Sequence, residues 1–294
     1  MTGLRPGVED YLSTLTAERG LSANTVAAYR RDLDQYLDFL EQKEPEPSDL
    51  DDFVKVLHRR RLAPASVARK VAAVRGLHRF LVSEGIAVDD PTRLLDPAKP
   101  RESFPKALTV EQTFALVEAP DVGGISGRRD RSLLEFLYAT GARVSEAVGV
   151  DLPAIDLEAK TVILTGKGDK QRLVPLGSSA AASIVAWLPD RLALSKPGAA
   201  SEALFLNRRG GRLSRQSAFR IVRQHAARVG IDPATVSPHT LRHSAATHMV
   251  EGGADLRSVQ VMLGHARIST TQVYTRVSPQ HLVEVFYLSH PRSR

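Results

Sequence analysis

A proline-rich stretch without hydrophobic periodicity, residues 85–109, divides this chain of 294 residues into two parts. Its four prolines stand at positions 91, 97, 100 and 105. Proline-rich segments are extended, and a structureless loop of this length is uncommon inside one compact domain. We therefore predict an N-terminal domain over 1–88, an interdomain linker over 89–107, and a C-terminal domain over 108–294.

The first part has the apolar spacing of helices. Between residues 7 and 84, apolar side chains recur at three- and four-residue steps. Ser22 is a suitable N-cap, Pro45 and Pro64 separate successive helices, and Gly85 is a suitable C-terminal stop. The sequence predicts a four-helix domain.

The second part is also mainly helical, with one change of period. TVILT (161–165) and QRLVPL (171–176) read as strands joined by the loop GKGDK, and a short strand is expected near 154–157. Helices are predicted at 109–118, 128–140, from 143, 178–193, 214–229, 239–251, 255–262 and 278–288. The predicted fold class is mainly α, with a small antiparallel β-sheet in the second domain.

Composition excludes several classes of protein. The absence of cysteine rules out disulfides, thiolate metal sites, iron–sulfur clusters and a cysteine nucleophile. No run approaches the roughly 18 apolar residues of a membrane span, so no membrane insertion is expected. The first 15 residues lack the apolar core of a secretory signal, and a cytoplasmic protein is the expectation.

Basic residues are unevenly placed along the chain. Residues 1–99 carry 15 Lys and Arg against 16 Asp and Glu, whereas residues 100–294 carry 25 against 17. Residues 55–79 contain eight basic residues and no acidic one. Basic proteins without a nucleic-acid partner are common, but this segregation favours a phosphate-binding surface. Its predicted DNA-binding residues are Arg69, Lys70 and Arg75.

Two motifs in the middle of the chain carry cationic side chains. In TGARVSEAVGV (140–150), Arg143 begins a short helix; it is either a surface arginine or a guanidinium directed at an anion. In GKGDKQR (166–172), Lys167 lies between two glycines. This loop is either a solvated hairpin or the carrier of an ammonium that acts as an acid. It lacks the spacing of a Walker loop.

Three cationic or imidazole side chains share the first turn of a predicted helix in SPHTLRHSAATHMV. His239, Arg242 and His243 stand at i, i+3 and i+4. A zinc-protease helix has this histidine spacing but requires a Glu where Thr240 stands, and Arg242 would repel a divalent cation. A phosphate suits the arrangement better. We assign His243 to packing.

The last motif, LGHARISTTQVYTRVS (263–278), contains His265 and, nine residues later, Tyr274. A tyrosine among valines is most often a core residue, but a phenol can also act as a nucleophile when cations favour its phenolate. The final helix carries Phe286, which packs either on its own domain or in a neighbour's. Taken together, guanidiniums, an ammonium, imidazoles and a phenol, without a carboxylate base or metal set, are suited to attack on a phosphodiester.

In their order and wording, GARVSE, GKGDKQR, HTLRH, LGH and VYTR resemble the tyrosine recombinase (phage integrase) family. The similarity covers nearly the whole chain. The start of the chain and its HPR tail are most similar to the Xer recombinases, and more similar to the XerD type than to the XerC type. The resemblance implies an N-terminal SAM-like core-binding domain and the integrase catalytic fold. It also implies a catalytic set: Arg143, Lys167, His239, Arg242, His265 and Tyr274.

In this resemblance Tyr274 is the nucleophile that forms a 3′-phosphotyrosine, and Lys167 protonates the leaving oxygen. Glu146 holds the arginines in place, and Lys170 and Arg172 bind DNA. No cofactor and no metal are implied.

The implied partners are duplex DNA, a paralogous Xer recombinase in a heterotetramer of two pairs, and an FtsK-type DNA translocase. The implied process is resolution of chromosome dimers through a Holliday junction, with the last helix docking in the next subunit. The alternatives are a phage or plasmid integrase or resolvase of the same family, a type IB topoisomerase-like relaxing enzyme, and a DNA-binding protein without catalysis.

Overall fold

A computed structural model of the chain describes residues 4–17, 21, 23–41, 43–93, 107–195, 202–264 and 278–293, apart from the side chains of Ala17, Lys167 and Pro279. The chain separates into two compact units, Met1–Ser103 and Phe104–Arg294. The described residues form twelve α-helices and one three-stranded sheet. The mainly helical class predicted from the sequence is confirmed.

The first unit is the predicted bundle of four helices. They are α1 (Leu4–Ala17), α2 (Ala23–Leu40), α3 (Pro47–Arg59) and α4 (Pro64–Ser83). Pro47 and Pro64 stand in the first turns of α3 and α4, where a missing N–H costs nothing. Gly85 follows α4 with φ +68°, the left-handed conformation that favours glycine. Tyr36, buried in the core of the bundle, packs edge-on against the ring of Phe53.

The beginning of the predicted linker is folded. Residues 89–93 form turns, in which the Thr92 backbone N–H and hydroxyl both donate to Asp90 Oδ1, at 2.8 and 2.6 Å. Thr92 is 1% exposed. The rest of the predicted linker, except Ala107, lies outside the described residues.

The second unit is built around one buried helix. Its elements are α5 (Val110–Glu118), α6 (Ile125–Thr140), α7 (Val144–Gly149), β1 (Ile155–Asp156), β2 (Thr161–Thr165), β3 (Gln171–Pro175), α8 (Gly177–Leu194), α9 (Arg215–Arg228), α10 (Pro238–Glu251), α11 (Leu256–Leu263) and α12 (Pro279–Ser289). Every residue of α6 from Ser132 to Thr140 is buried. The helix starts three residues earlier than its apolar spacing predicts.

The three strands form an antiparallel sheet in the order β1-β2-β3, with Val162 opposite Val174 and Leu164 opposite Arg172. The loop between β2 and β3 contains a 3-10 turn at Lys167–Asp169. Because side chains alternate across a strand, Val174 points into the core. The hairpin thus carries its basic loop outward from a firmly packed base.

The C-terminal helix α12 packs on its own unit. Phe286 is fully buried, and a Cβ on Gly177 would lie 3.0 Å from a ring atom of Phe286, so the ring packs closely against this glycine. Arg292 donates to Glu135 Oε2 at 2.9 Å and to Glu118 Oε1 at 2.7 Å. The docking of this helix in a neighbouring subunit, which the resemblance implies, stays a prediction. None of the described helices is long and apolar enough to cross a membrane.

Candidate active site

The turn between α6 and α7 positions the first predicted catalytic residue. Gly141 ends α6 with φ +56°, and Arg143 is the N-cap of α7. A Cβ on Gly141 would lie 2.5 Å from Leu263 Cδ2, so the glycine lets the end of α11 approach this turn. The GAR motif therefore brings Arg143 next to the end of α11.

Glu146, in the first turn of α7, holds two arginines. Its side chain is 3% exposed. Glu146 Oε2 accepts from the Arg143 backbone N–H at 2.8 Å, and Oε1 accepts from Arg143 Nη1 at 2.9 Å. Arg172 adds a two-pronged contact, with Nη1 on Oε1 at 2.9 Å and Nη2 on Oε2 at 2.8 Å. Burial alone would raise the pKa of Glu146, but the bonds from Arg172 and Arg143 outweigh it and lower this pKa.

Arg242 reaches the same place from the first turns of α10. Its Nη1 donates to the carbonyl oxygen of Gly141 at 2.6 Å, and its Nη2 to that of Leu263 at 2.7 Å. Burial, and then repulsion by Arg143, lower the pKa of Arg242 to about 10; attraction by Glu146 opposes this, and repulsion by Arg172 is a smaller contribution in the same direction as that of Arg143. We call Arg143, Arg172, Arg242 and Glu146 the arginine cluster.

The arginine cluster has three guanidiniums and one carboxylate. Because that carboxylate is shared by Arg143 and Arg172, Arg242 is held by neutral carbonyl oxygens instead. The side chain of Arg143 is 40% exposed to solvent. A cluster with excess positive charge and exposed N–H groups is suited to bind an oxyanion and to stabilise charge that develops on it.

The end of α11 closes one side of the cluster. Gly264 is its C-cap, with φ +66°, and its carbonyl oxygen accepts from Arg143 Nη2 at 3.2 Å. A Cβ on Gly264 would lie 3.1 Å from Arg172 Cζ. The LGH motif therefore places a glycine against a guanidinium. The next residue, His265, lies outside the described residues, as does Tyr274.

Arg172 does not have the position predicted for a DNA-binding residue. Its side chain is only 14% exposed, and besides Glu146 it donates from Nε to the carbonyl oxygen of Met262 at 2.8 Å. The contacts are internal because the strand period turns Arg172 toward α7 and α11 rather than toward the solvent. Lys170, at the end of the same loop, is exposed. The side chain of Lys167 is outside the description.

His239 lies on the rim of a cleft next to the cluster. It is exposed in the first turn of α10, and its ring centre is 6.1 Å from that of Phe219. The cleft has a volume of about 800 Å³ and is lined by Val144, Arg215, Gln216, Phe219, Arg220, Arg223, Gln224 and His239. We call it the basic cleft.

The sequence analysis missed the arginines of the basic cleft. The available signal was that α9 contains four arginines and no acidic residue. The assignment of His243 to packing is wrong: His243 is exposed, because α10 turns its buried face through Thr240, Leu241 and Ser244.

In the first unit, two of the three predicted DNA-binding residues, Arg69 and Lys70, have internal contacts. Lys70 is buried, and its ammonium donates to Asp32 Oδ1 at 2.6 Å and to Gln35 Oε1 at 2.8 Å. Arg69 donates to both oxygens of Asp32, at 2.7 and 3.1 Å. Arg75 is half-buried, and its Nε has no hydrogen-bond partner in the described part of the chain. Lys70 is thus not a surface residue, because the helix period turns it toward Asp32 of α2.

Within the described ranges, no group of three or more His, Asp or Glu side chains is arranged to hold a metal ion. The arginine cluster consists of guanidiniums held in place around the Glu146 carboxylate.

Comparison with known proteins accounts for both units. The phage integrase family model matches residues 106–281, and the model of the phage integrase N-terminal SAM-like domain matches residues 8–85. Tyrosine recombinase XerD of Mycobacterium tuberculosis is 46% identical, with 98% of each chain covered. Tyrosine recombinase XerD of Staphylococcus aureus is 41% identical, covering 97% of this chain and 99% of the relative.

Solved structures have the same fold. The XerH recombinase bound to a palindromic difH substrate, in a post-cleavage complex, matches with a TM-score of 0.71 at 22% identity, over 96% of this chain and 84% of that one. A lambda integrase dimer bound to a core site matches with a TM-score of 0.70 at 16% identity, over 94% and 99%. Given the family models and the full-length relatives, this chain belongs to the phage integrase family and is a site-specific tyrosine recombinase.

Proposed function

We propose that the chain cuts and rejoins duplex DNA through a 3′-phosphotyrosine formed by Tyr274. The observation that carries the proposal is the arginine cluster, in which Arg242 is half-buried, repelled by two other guanidiniums and bonded to carbonyl oxygens. A phosphodiester bound there would supply the missing negative charge. Its non-bridging oxygens gain charge as the phosphorane forms, so the cluster binds the transition state more tightly than the ground state.

The remaining roles follow from the chemistry of the transfer. Tyr274 oxygen attacks the scissile phosphorus, and the bond to the 5′-oxygen breaks. That oxygen needs a proton, which Lys167 supplies from the hairpin loop, while His239 and His265 bond the phosphate and assist proton transfer. Arg143 and Arg242 bind the non-bridging oxygens. Attack by the free 5′-hydroxyl on the phosphotyrosine reverses the step, so no external energy source is needed.

Duplex DNA is proposed as the partner on two grounds. The basic cleft adjoins the arginine cluster through Val144 and His239 and is lined by three arginines of α9. Guanidiniums bind phosphate and the edge of guanine. The XerH and lambda integrase structures of the same fold hold difH and core-site DNA, respectively. On the sequence evidence Lys170 is proposed to contact the DNA backbone.

A nicked suicide substrate tests the chemistry. The nick lets the short 5′-hydroxyl fragment diffuse away, so a covalent protein–DNA adduct accumulates. We expect an adduct with the unchanged chain and none with Tyr274→Phe. Tyr287→Phe is the matched control, because it removes the same hydroxyl from α12. An adduct of unchanged yield in Tyr274→Phe would contradict the proposal. We also expect cleavage in the presence of EDTA, so an absolute requirement for Mg²⁺ would contradict the proposal as well.

We further propose that the biological reaction is resolution of chromosome dimers at a terminus-region site, together with a paralogous Xer recombinase and an FtsK-type translocase. The support is that full-length relatives at 41–46% identity are XerD recombinases. A plasmid with two copies of the site should yield resolved circles and branched Holliday intermediates only when both recombinases are present. Relaxation of supercoils at no defined site would instead indicate a topoisomerase-like enzyme.

A further inference from the structure

Arg172 bonds to two elements that also hold Arg143. From β3 it binds both oxygens of Glu146 on α7, and it donates from Nε to the carbonyl oxygen of Met262 near the end of α11. Arg143 is held at the same two places, by Glu146 and by the carbonyl oxygen of Gly264. Each anchor of Arg143 is therefore itself anchored by Arg172.

We propose that Arg172 is a positioning residue for strand cleavage: it fixes Glu146 and the end of α11 so that the Arg143 guanidinium faces the scissile phosphate. This inference rests on the proposed function. It replaces the DNA contact that the sequence suggested for Arg172.

The geometry explains why an arginine is needed at this position. A guanidinium presents a planar set of donors, so two of its nitrogens can meet a carboxylate while the third meets a carbonyl group. Gly264 lies against the guanidinium, with its Cβ position 3.1 Å from Arg172 Cζ. A lysine has a single nitrogen and cannot reproduce this planar arrangement of donors.

Through Glu146, the Arg172 side chain is also linked to the hairpin that carries Lys167. At the base of that loop the Gly166 N–H donates to the Lys170 carbonyl oxygen at 2.8 Å. A Cβ on Gly166 would lie 3.3 Å from Glu146 Oε1. The loop base is thus in van der Waals reach of the carboxylate that Arg172 holds, and a shift of Glu146 would reach the Lys167 loop as well as Arg143.

Electrostatics give this arrangement a measurable signature. The charged groups that face Glu146 in the described residues are Arg143 on its own helix, Arg172 from β3 and Arg242 from α10. After the opposing effect of burial, the bond from Arg172 is the largest influence on the pKa of Glu146, and it lowers that pKa. Loss of Arg172 therefore raises the pKa of Glu146. Because cleavage requires the ionised carboxylate, the acidic limb of the pH–rate profile moves to higher pH.

The test uses the full chain, the nicked substrate under single-turnover conditions, and an uncleaved duplex for binding. For Arg172→Gln we expect a roughly 10- to 100-fold lower cleavage rate, the cost of a misplaced catalytic group. The Kd for duplex should stay unchanged, and the acidic limb should shift upward. In Arg172→Lys the restored positive charge should return the limb toward its original pH, while the rate remains about tenfold low because the three-point contact is lost.

Arg128→Gln is the matched control. Arg128 also meets a carboxylate with two nitrogens, Asp190 at 2.5 and 3.0 Å, and donates to a carbonyl oxygen, that of Val122 at 2.7 Å. It belongs to α6 and contacts no member of the arginine cluster in these bonds. Its loss should leave the cleavage rate and the pH profile unchanged. In the double variant Glu146→Gln and Arg172→Gln the titrating carboxylate is absent, so the shifted acidic limb of the pH–rate profile should disappear.

Two results would overturn the inference. A weaker Kd for duplex, with the salt dependence reduced by about one phosphate contact, would make Arg172 a DNA-binding residue. A rate and pH profile equal to those of the unchanged chain would make its contacts merely structural. If Arg172→Gln fails to fold by circular dichroism, Arg172→Lys decides: a slow rate at unchanged Kd supports the inference, and a normal rate refutes it. No adduct from the unchanged chain would refute the proposed function instead.

Discussion

Each unit of this recombinase contains a cluster in which cationic side chains surround a buried carboxylate, and the two clusters have opposite results. In the first unit, Asp32 is 1% exposed and binds Lys70 and Arg69. The hydrogen bond that Arg69 donates to Asp32 raises the pKa of Arg69, so this cation is stabilised where it lies. In the second unit, the hydrogen-bond partners of Arg242 among the described residues are carbonyl oxygens, and burial beside Arg143 and Arg172 lowers its pKa to about 10.

The difference separates a cluster that stabilises the fold from one that binds a ligand. A buried charge is expensive unless it is paired, and an internal carboxylate supplies the pairing for Lys70. For Arg242 the pairing is incomplete, and an anion from outside would complete it. Excess positive charge inside a folded site is therefore more informative about function than excess positive charge along the sequence.

The largest effect is expected from a substitution that breaks the cluster around Asp32. Asp32→Asn keeps the shape of the side chain but leaves the buried Lys70 ammonium without its counter-ion, which costs about 3–5 kcal/mol. The single tryptophan, Trp187, lies in the second unit, so its fluorescence reports on that unit, whereas far-ultraviolet circular dichroism reports on both. We expect part of the dichroism transition to move to lower urea concentration while the fluorescence transition stays.

The cleavage rate per folded molecule should also stay unchanged in Asp32→Asn. A loss of cleavage at a urea concentration and temperature where dichroism shows both units folded would contradict the assignment of a purely structural role to this cluster.

The second prediction breaks the other cluster. Arg242→Gln should lower the cleavage rate roughly 10²- to 10³-fold, the usual effect of removing one donor to a developing oxyanion. The tryptophan unfolding transition should move little, because the residue lost is a half-buried cation repelled by its neighbours. If this variant instead unfolds easily and cleaves at a normal rate while folded, the contrast between the two clusters is wrong.

Helix positions and the hairpin could be predicted from the sequence because they depend on local signals. Prolines open α3 and α4, Gly141 and Gly264 end helices in the left-handed conformation, and a period of two marks the strands. The shared position of the GAR, HTLRH and LGH motifs followed from the family resemblance, not from spacing.

What could not be predicted is the direction in which individual cations point. Lys70 and Arg172 were predicted to be surface residues because the sequence shows a charge but not its partner. Their partners, Asp32 and Glu146, are 38 and 26 residues away in sequence. The buried segment ALFL (203–206) was also missed. It lies outside the named strands, linked by isolated bridges from Ala203 to Asp151 and from Leu206 to Arg212, so neither a helix nor a strand pattern applies to it.

At His290, unlike at the two clusters, burial suppresses the charge of the side chain. Burial lowers the pKa of His290 to about 3, and the ring stacks on Phe286 with a centroid distance of 4.7 Å. The unfolded chain binds this proton below about pH 6.5, whereas the folded chain binds it only below about pH 3. The free energy of unfolding therefore decreases as the pH is lowered from about 6.5 to about 3. The loss is about 1.4 kcal/mol per pH unit. The tryptophan transition of His290→Gln should depend less on pH between 6 and 4 than that of the unchanged chain; an equal dependence would assign the acid sensitivity elsewhere.

The smallest effect sharpens the comparison inside the arginine cluster. Gly264→Ala places a Cβ in the left-handed region, which costs about 1–2 kcal/mol, and also 3.1 Å from Arg172 Cζ. Gly253→Ala is the matched control, because Gly253 has φ +95° and nothing within 4 Å of its Cβ position. Both variants should lose similar stability, but only Gly264→Ala should cleave about tenfold more slowly, since Arg172 is held by three bonds and cannot retreat without moving Glu146. Equal cleavage rates in the two variants would mean that the guanidinium adjusts freely and that the close contact at Gly264 does not set the geometry of the site.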